Sequence, residues 1–516
     1  MLNLLRYLNA NNCSELSTSA IARLLILSIL YCLSACSTQQ SDTIRFGLSA
    51  APATLDPRYA TDAASDRITR LIYRRLVDFD EQANFIPALA SWQRLTARHY
   101  RFTLGDVGRL FHNGTILTAT DVKATYDFVL NPDNASPHRD SIAVIDNIKL
   151  IDDNTIDFHL HRADPIFPGR LVIGILPEAL MLKAHAFNQS PVGSGPLKFI
   201  EWPSEERLSL QRISDKQFID FITVKDPTVR VLKLLRAEVD LLQGELPHEM
   251  ITWLANKQAV DISQNNGSNF SYIGFNLEDA DTSKLMVRKA IACAIDRQKI
   301  IHYALGEAAR LAGSIFPPEH WAAAPGLTGY AYNPDESKRL LLKAGYSQNK
   351  PLSLSYKTST NPVSIRFATI IQQQLKQVGI ELEIHSHDWG TFYGDIKAGR
   401  FQMYSLSWVG IKMPDVFRYI FHSASKPPAG ANRGRFDDAI VDQLIEQAEA
   451  EETLSVRTDI YRAIQQRLHQ QLPYIPLWYE DNVLIKRKQI SGYTLAADGN
   501  YDGLINIQRK PQEYDR

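Results

Sequence analysis

The sequence predicts an α/β protein built in several lobes, and three observations carry that reading. At 516 residues the chain is too long for one simple core. From Tyr272 onward, helical and strand-like segments alternate, the rhythm of an α/β unit. Before that point, paired strand-like segments with few helices surround a dense breaker cluster, Pro191-Val192-Gly193-Ser194-Gly195-Pro196, which marks a boundary.

Leu24 to Leu33 is an apolar stretch too short to cross a bilayer, which takes about 20 residues. With Arg6 and Arg23 before it, the stretch suits the apolar core of a secretory signal. Leu33-Ser34-Ala35-Cys36 resembles the bacterial lipobox, so Cys36 is the expected lipidated residue and Ser37 to Ser41 a tether. The expected location is the periplasmic space, on the inner or the outer membrane. Of four cysteines, Cys13 and Cys32 leave with the signal and Cys36 carries lipid, which leaves Cys293 without a disulfide partner. Cys293 lies in an apolar run and reads as a buried, inert thiol. A formal net charge of -1, with no basic stripe, argues against a nucleic-acid partner.

In chain order, Ile44 to Leu48 reads as a strand followed by a turn-rich exit. Arg70 to Phe79 is mixed, and Tyr100 to Leu104 alternates as a half-buried strand. Asn113-Gly114 makes a tight turn, and Thr118 with Asp121 forms a capping box opening a helix with Val122, Tyr126 and Val129 on one face. Ile148 to Leu160 is a hairpin. Asp226-Pro227 starts a helix, and Val239 to Leu242 is a strand. Val287 to Leu305 has helical spacing, and Asn333-Pro334 starts a helix that Gly345 stops. There follow strand 352–356, helix 362–378, strand 380–384, helix 389–398, strand 401–408, a helix around Ile464 and strand 473–477.

Motifs of catalysis are sparse. His248-Glu249 lacks the second histidine of a metalloprotease helix, and no Gly-x-Ser-x-Gly elbow occurs. His385 and His387 alternate on a strand end with Asp388 beside them, and read as solvated edge histidines rather than metal ligands. The acidic run Glu446 to Glu452 reads as a solvated helix face, and Arg433 to Asp438 as a loop. No metal, cofactor or catalytic residue is expected.

Eight short blocks in order resemble the family 5 extracellular solute-binding proteins, the dipeptide- and oligopeptide-binding receptors of ABC importers. They are Pro87 to Trp92 (one residue shorter than the family's P-x-L-A-x-S-W), Phe111 to Gly114, Leu117 to Val122, Pro191 to Pro196, Tyr272 to Asn276, Val287 to Ile291, Ala294 to Arg297 and Leu472 to Leu477. The resemblance implies a type II-like periplasmic binding protein, with two jaws, three lobes and a cleft. The expected partition is a signal over 1–36, tether and start of lobe I over 37–62, inserted lobe II over 63–190, lobe I continued over 191–267, lobe III over 268–483 and a C-terminal return over 484–516. It also implies a monomeric binder, not an enzyme, with a peptide-like solute, an ABC permease and its ATPase as partners. The alternatives are a non-peptide member, binding a metal chelate or glycoside, and an exported peptidase.

In peptide-binding members the strand ending in Trp offers its edge to the ligand; here that strand leads into Trp408. The resemblance therefore implies ligand contacts at Ala51, Pro52, Tyr272, Tyr404, Ser407, Trp408, Gly410 and Asp415. One departure stands out. The family's peptide receptors usually carry Asp three residues after that Trp, pairing with the ligand's α-amino group, whereas this chain has Ile411. Asp415 is the expected substitute if the loop folds back over the cleft, and Lys412 offers the alternative of an anionic or N-blocked ligand.

Overall fold

A computed structural model describes residues 43–80 and 83–510. The signal, the lipobox and Cys36 lie outside the described residues.

One eleven-stranded sheet runs through the molecule. Its strands, numbered in chain order, are β1 (Ile44–Leu48), β2 (Leu197–Ser204), β3 (Arg207–Arg212), β4 (Phe218–Thr223), β5 (Leu241–Gln243), β6 (Val260–Phe275), β7 (Ala309–Leu311), β8 (Leu352–Ser359), β9 (Ile380–His387), β10 (Met403–Trp408) and β11 (Tyr474–Arg487). Across the sheet the order is β9-β8-β10-β6-β11-β5-β1-β4-β3-β2, with β7 on the side of β11. The mixed α/β class is as expected, and one continuous sheet runs across the chain.

The reason is the length of β6 and β11, 16 and 14 residues. They pair antiparallel from Val260↔Arg487 to Gly274↔Tyr474. One end of the pair meets β5 and, through it, β1; the other meets β10. The ladder breaks register between Asn265 and Asn269, a bulge that bends both strands where they pass from one half of the sheet to the other. Gly267 sits in the break, and a Cβ there would fall 1.9 Å from the Glu480 carbonyl oxygen.

Several apolar cores flank this frame, one of them formed by Val231, Leu242, Val260 and Ile485 at the junction of β5, β6 and β11. Residues of β1, β3 and β4 pack with Ile68, Leu71 and Ile72 of helix Ala63–Ile72 and with Tyr501, Leu504 and Ile507 of the C-terminal return. Residues between Leu76 and Ile175 form their own core around a four-stranded antiparallel sheet. Helix Ala119–Leu130 closes one face of it with Val122, Tyr126 and Val129, and the Asp121 carboxylate accepts the Thr118 backbone N–H as the capping box requires. Residues between Phe270 and Tyr479 fill both faces of the C-terminal half of the main sheet.

Several boundaries moved. Helix Ala63–Ile72 was not apparent in the mixed run, yet Asp62 caps it at the Ser65 N–H. The 287–305 periodicity resolves into helices Leu285–Ala294 and Arg297–Ala304, because the Asp296 side chain caps the second at Lys299. Strand 473–477 extends to Arg487, since β6 and β5 offer backbone partners far beyond the apolar run.

The breaker cluster is a backbone clamp. The Gly195 N–H donates to the Ile72 carbonyl at 2.7 Å, and the Gly193 carbonyl accepts the His112 N–H at 2.8 Å. A Cβ on Gly195 would lie 2.3 Å from the Leu71 carbonyl oxygen. Gly195→Ala is accordingly expected to destabilise the fold by about 1–3 kcal/mol, as overpacking does. Chemical denaturation checks this, and an unchanged midpoint counts against the clamp.

Candidate functional site

β10 pairs with β6 over its whole length, Phe270↔Trp408 to Phe275↔Met403. On its other side β8 meets it only through Tyr356↔Met403 and Lys357↔Tyr404. From Ser405 to Trp408 the outer edge of β10 has no strand partner among the described residues. An edge of this kind presents unpaired N–H and C=O groups in a row, a template for one more extended segment.

Ser407, Trp408 and Gly410 lie at this edge or just past it. Ser407 is exposed, Trp408 half-buried, and Gly410 exposed with φ +71°, a left-handed turn that swings the chain away after the strand. The indole Nε1–H of Trp408 has no hydrogen-bond partner among the described residues. Arg433 holds the ring from below: its guanidinium carbon is 4.7 Å from the ring centroid, and it donates to Tyr393 at 2.9 Å and Tyr272 at 3.3 Å. Arg433 had been read as part of a plain loop. It is buried, and its packing under Trp408 is invisible in sequence because the two are 25 residues apart and on different elements.

Tyr272 and Tyr404 do not face an open cleft. Both are fully buried; Tyr272 stacks on Tyr474 at 4.0 Å and meets Tyr404 edge-on at 5.9 Å. They alternate onto the core face of β6 and β10, opposite in direction from Ser271 and Ser407. Ala51 and Pro52 follow β1, the first half-buried and the second buried.

Asp415 is the larger correction. Its Oδ2 is 3.2 Å from Arg170 Nη1, and Arg170 also donates to Asp164 at 2.6 Å. Glu449, expected on a solvated face, is buried and takes both Arg418 (2.8 and 2.9 Å) and Arg162 (2.6 Å). This cluster joins the segment 162–170 of the four-stranded part to 415–449 of the C-terminal half. Asp415 is therefore consumed by the protein. Lys412 is consumed as well: its Nζ lies 2.8 Å from Asp498 Oδ2 on the C-terminal return. Burial opposes the ionisation of Asp498, but the Lys412 charge and bond and the Asn500 N–H outweigh it and hold the carboxyl at about 2.

On the other face of the same strands lies a polar stripe. Ser407 Oγ meets Ser271 Oγ at 2.6 Å, and Ser271 donates to Glu480 Oε1 at 2.6 Å. Trp478 Nε1–H donates to the same oxygen at 3.2 Å. Burial pushes the Glu480 carboxyl up, with Glu245 adding to the rise, while the two donors and the charge of Arg67 pull it down.

Metal chemistry finds little support. Asp388 caps helix Trp389–Ala398 at Thr391 rather than joining His385 and His387. His99, His159 and Asp157 cluster on the four-stranded sheet. Both Asp157 oxygens, however, accept from Arg101 at 2.8 Å, and the two rings stack at 4.1 Å, an ion-pair network rather than a converging ligand set.

Comparison with known proteins gives a consistent picture. The family described as bacterial extracellular solute-binding proteins, family 5 Middle, matches residues 84–430. The di/tripeptide-binding protein 2 of Pseudomonas aeruginosa is 26% identical, covering 91% of this chain and 96% of that protein. Among solved structures, the periplasmic binding protein DppA of Helicobacter pylori in complex with peptide STSA superposes with a TM-score of 0.84 at 23% identity, over 91% of this chain and 98% of that one. NikZ of Campylobacter jejuni in complex with Ni(L-His) gives 0.82 at 24% identity, over 91% and 99%.

Burial pushes the carboxyl of Asp415 up to about 6, opposed by Arg170 and reinforced by Asp164 and Glu449. A raised carboxyl binds its proton more tightly in the packed cluster than in the unfolded chain. Stability from this group should therefore grow as pH falls through about 6 toward the ordinary carboxylate range. Burial opposes ionisation of Glu449 too, but the Arg418 bond and the charges of Arg170, Arg418 and Arg162 hold it below its usual value. Its contribution is therefore lost only at lower pH. Melting temperature should rise between pH 7 and 5, and Asp415→Asn should flatten the rise; an equal slope in the variant rejects the assignment.

Proposed function

The chain belongs to the bacterial extracellular solute-binding proteins of family 5, and on that premise we propose that it captures a peptide or peptide-like solute and delivers it to an ABC permease and its ATPase. The observation that carries this reading is the unpartnered edge of β10 from Ser405 to Trp408, set beside the junction where β6 and β11 pass between the halves. An extended backbone laid there completes the sheet by main-chain hydrogen bonds, and these are indifferent to side-chain identity. The relatives that match over nearly the whole chain include a di/tripeptide-binding protein, which supports a short ligand.

The mechanism is a shift between open and closed jaws, in which the solute binds the closed form better and leaves unaltered. The lobes proposed are lobe I from 37–62, 191–267 and 484–516, lobe II over 63–190 and lobe III over 268–483. The contacts 170–415 and 412–498 then mark the closed arrangement, because each spans two lobes. Bending belongs to β6 and β11 at the register break. The protein works as a monomer without catalysis, in the periplasmic space, held to a membrane by lipid on Cys36.

Isothermal titration with Ala-Ala-Ala should give saturable binding together with a smaller radius of gyration. The same peptide N-methylated at its central amide should bind at least about tenfold more weakly, since it loses one main-chain donor. Equal affinities would reject the edge-strand mode. No binding and no compaction with any tripeptide would reject the peptide reading. Cys36→Ser should move the protein from the membrane to the soluble fraction and abolish palmitate labelling; persistence in the membrane rejects the anchor.

A further inference from the structure

The described chain enters the main sheet at one end of it, and that end carries charge and apolar surface that the fold does not use. β1 begins at Ile44, beside Ile219 of β4, and the Arg509 guanidinium donates to the Thr43 carbonyl at 3.1 Å. β5 runs parallel to β1, and β11 ends where β6 begins, at the pair Val260↔Arg487. The β3–β4 turn reaches the same end, since Phe218 at the start of β4 faces Gln211 near the close of β3. The Lys488 N–H donates to the Ala259 carbonyl at 3.3 Å, and the Lys510 N–H to the Gln489 carbonyl at 2.7 Å. Turn 213–217, the exit from β11 and the C-terminal return therefore form one rim around Thr43.

Lys216, Lys488 and Lys510 are exposed on this rim and make no ion pair among the described residues. The acids of the rim are matched by other cations. Asp215 pairs with Arg212 at 2.6 Å and Asp261 with Lys486 at 2.9 Å. Glu238 pairs with Lys233 at 2.6 Å and also feels the charge of Arg236, and Asp240 pairs with Arg509 at 2.7 Å. Positive charge is left over. The six residues after Lys510 carry Glu513, Asp515 and Arg516, fewer acidic side chains than the rim has unpaired lysines. Apolar surface lies beside this charge: Phe218 is 41% exposed, and Ile213 in the adjoining turn 38%. Trp253, 46% exposed, stands in the last turn of helix His248–Ala255, which leads into β6, with Lys257 Nζ 4.2 Å from its ring centroid. Exposed rings between ammonium groups suit the boundary of a bilayer, where rings sit at headgroup level and ammonium groups meet lipid phosphates.

The tether points to the partner. Cys36 and Thr43 are seven residues apart, and a chain of that length spans about 25 Å when fully extended and about 15 Å on average when flexible. Lipid on Cys36 keeps Thr43 within that reach of the bilayer. We infer that the rim around Thr43 is a membrane-contact face, seating Phe218 and Trp253 among anionic phospholipid headgroups with Lys216, Lys488 and Lys510 on the phosphates. This rests on the lipid anchor proposed above and adds an orientation and a lipid class. An acyl chain joined to a basic patch holds a protein to a surface far better than either does alone. Phe270, the partner of Trp408, is ten residues along β6 from Val260, about 30 Å of strand. The docked rim is therefore remote from the β10 edge and leaves it open to solute.

The test uses the chain of residues 37–516, which keeps every described residue and lacks the acyl group. Vesicles of phosphatidylglycerol and phosphatidylcholine in equal parts should bind it at least about tenfold more tightly than phosphatidylcholine alone, and molar salt should remove the difference. Lys216→Glu, Lys488→Glu and Lys510→Glu together should cost at least about tenfold in affinity for the anionic vesicles. The same reversal at Lys338, Lys343 and Lys350, exposed in the C-terminal half, should bind as wild type does. All these positions are exposed, so melting temperatures near wild type are expected and checked first. Bromine-labelled phosphatidylglycerol should quench tryptophan fluorescence in wild type and less in Trp253→Phe, a readout that needs no charge reversal. Equal binding to both vesicle types, unchanged binding by the rim reversal, or equal quenching in Trp253→Phe overturns the assignment and leaves the anchor standing, since none of these assays uses the acyl chain. A dimer formed without lipid and dissociated by the rim reversal gives the rim to a second copy and overturns it too. Absence of palmitate from Cys36 of the native chain removes the anchor, and this inference falls with it.

Discussion

Everything in this molecule hangs on the antiparallel pairing of β6 and β11. Two strands of 16 and 14 residues are long for a globular protein, and each buries one end in each half of the sheet. Their shared ladder is continuous enough to make one sheet of eleven strands, yet it breaks register between Asn265 and Asn269 and again between Ser271 and Tyr272. A two-strand connection with a bulge has few backbone hydrogen bonds to strain when it bends. The flanking cores, by contrast, are close-packed around Phe102 and Phe158, Phe46 and Phe221, and Tyr272 and Tyr474.

Charges divide along the same line. Those that join separate parts of the chain are satisfied internally: Arg170 with Asp164 and Asp415, Glu449 with Arg418 and Arg162, Lys412 with Asp498. Removing one member would strand its partners in a poorly solvated place, which is far more costly than the pair is worth. Such pairs define a unique docking geometry for the parts they join. Ionic groups thus hold the halves in register.

Local chemistry was readable wherever a residue acts on its own neighbours. Thr118 with Asp121, Asp226 before Pro227, Asn333 before Pro334 and the left-handed glycines Gly114, Gly345 and Gly379 all do what their spacing implies. Trp389–Ala398 was placed to the residue, since Asp388 caps its start and Gly399 ends it. Asp388, noted only as a neighbour of His385 and His387, is the cap of that helix. Glu449 looked solvated because a run of acids on a helix gives no sign of which one turns inward toward Arg418.

The sequence by itself determined the class of the fold, the order of its elements, the apolar short stretch ahead of Cys36 and the family to which the chain belongs, because caps, turns and alternation act over a few residues. Only the tertiary structure decided that the sheet is continuous, that Tyr272 and Tyr404 are core, that Asp415 and Lys412 are spent on Arg170 and Asp498, and that Glu480 accepts from Ser271 beside Ser407. Each of those depends on which distant strand or helix supplies the opposite charge or the facing ring. Partners separated by 245 residues, as Arg170 and Asp415 are, leave no local trace in the chain.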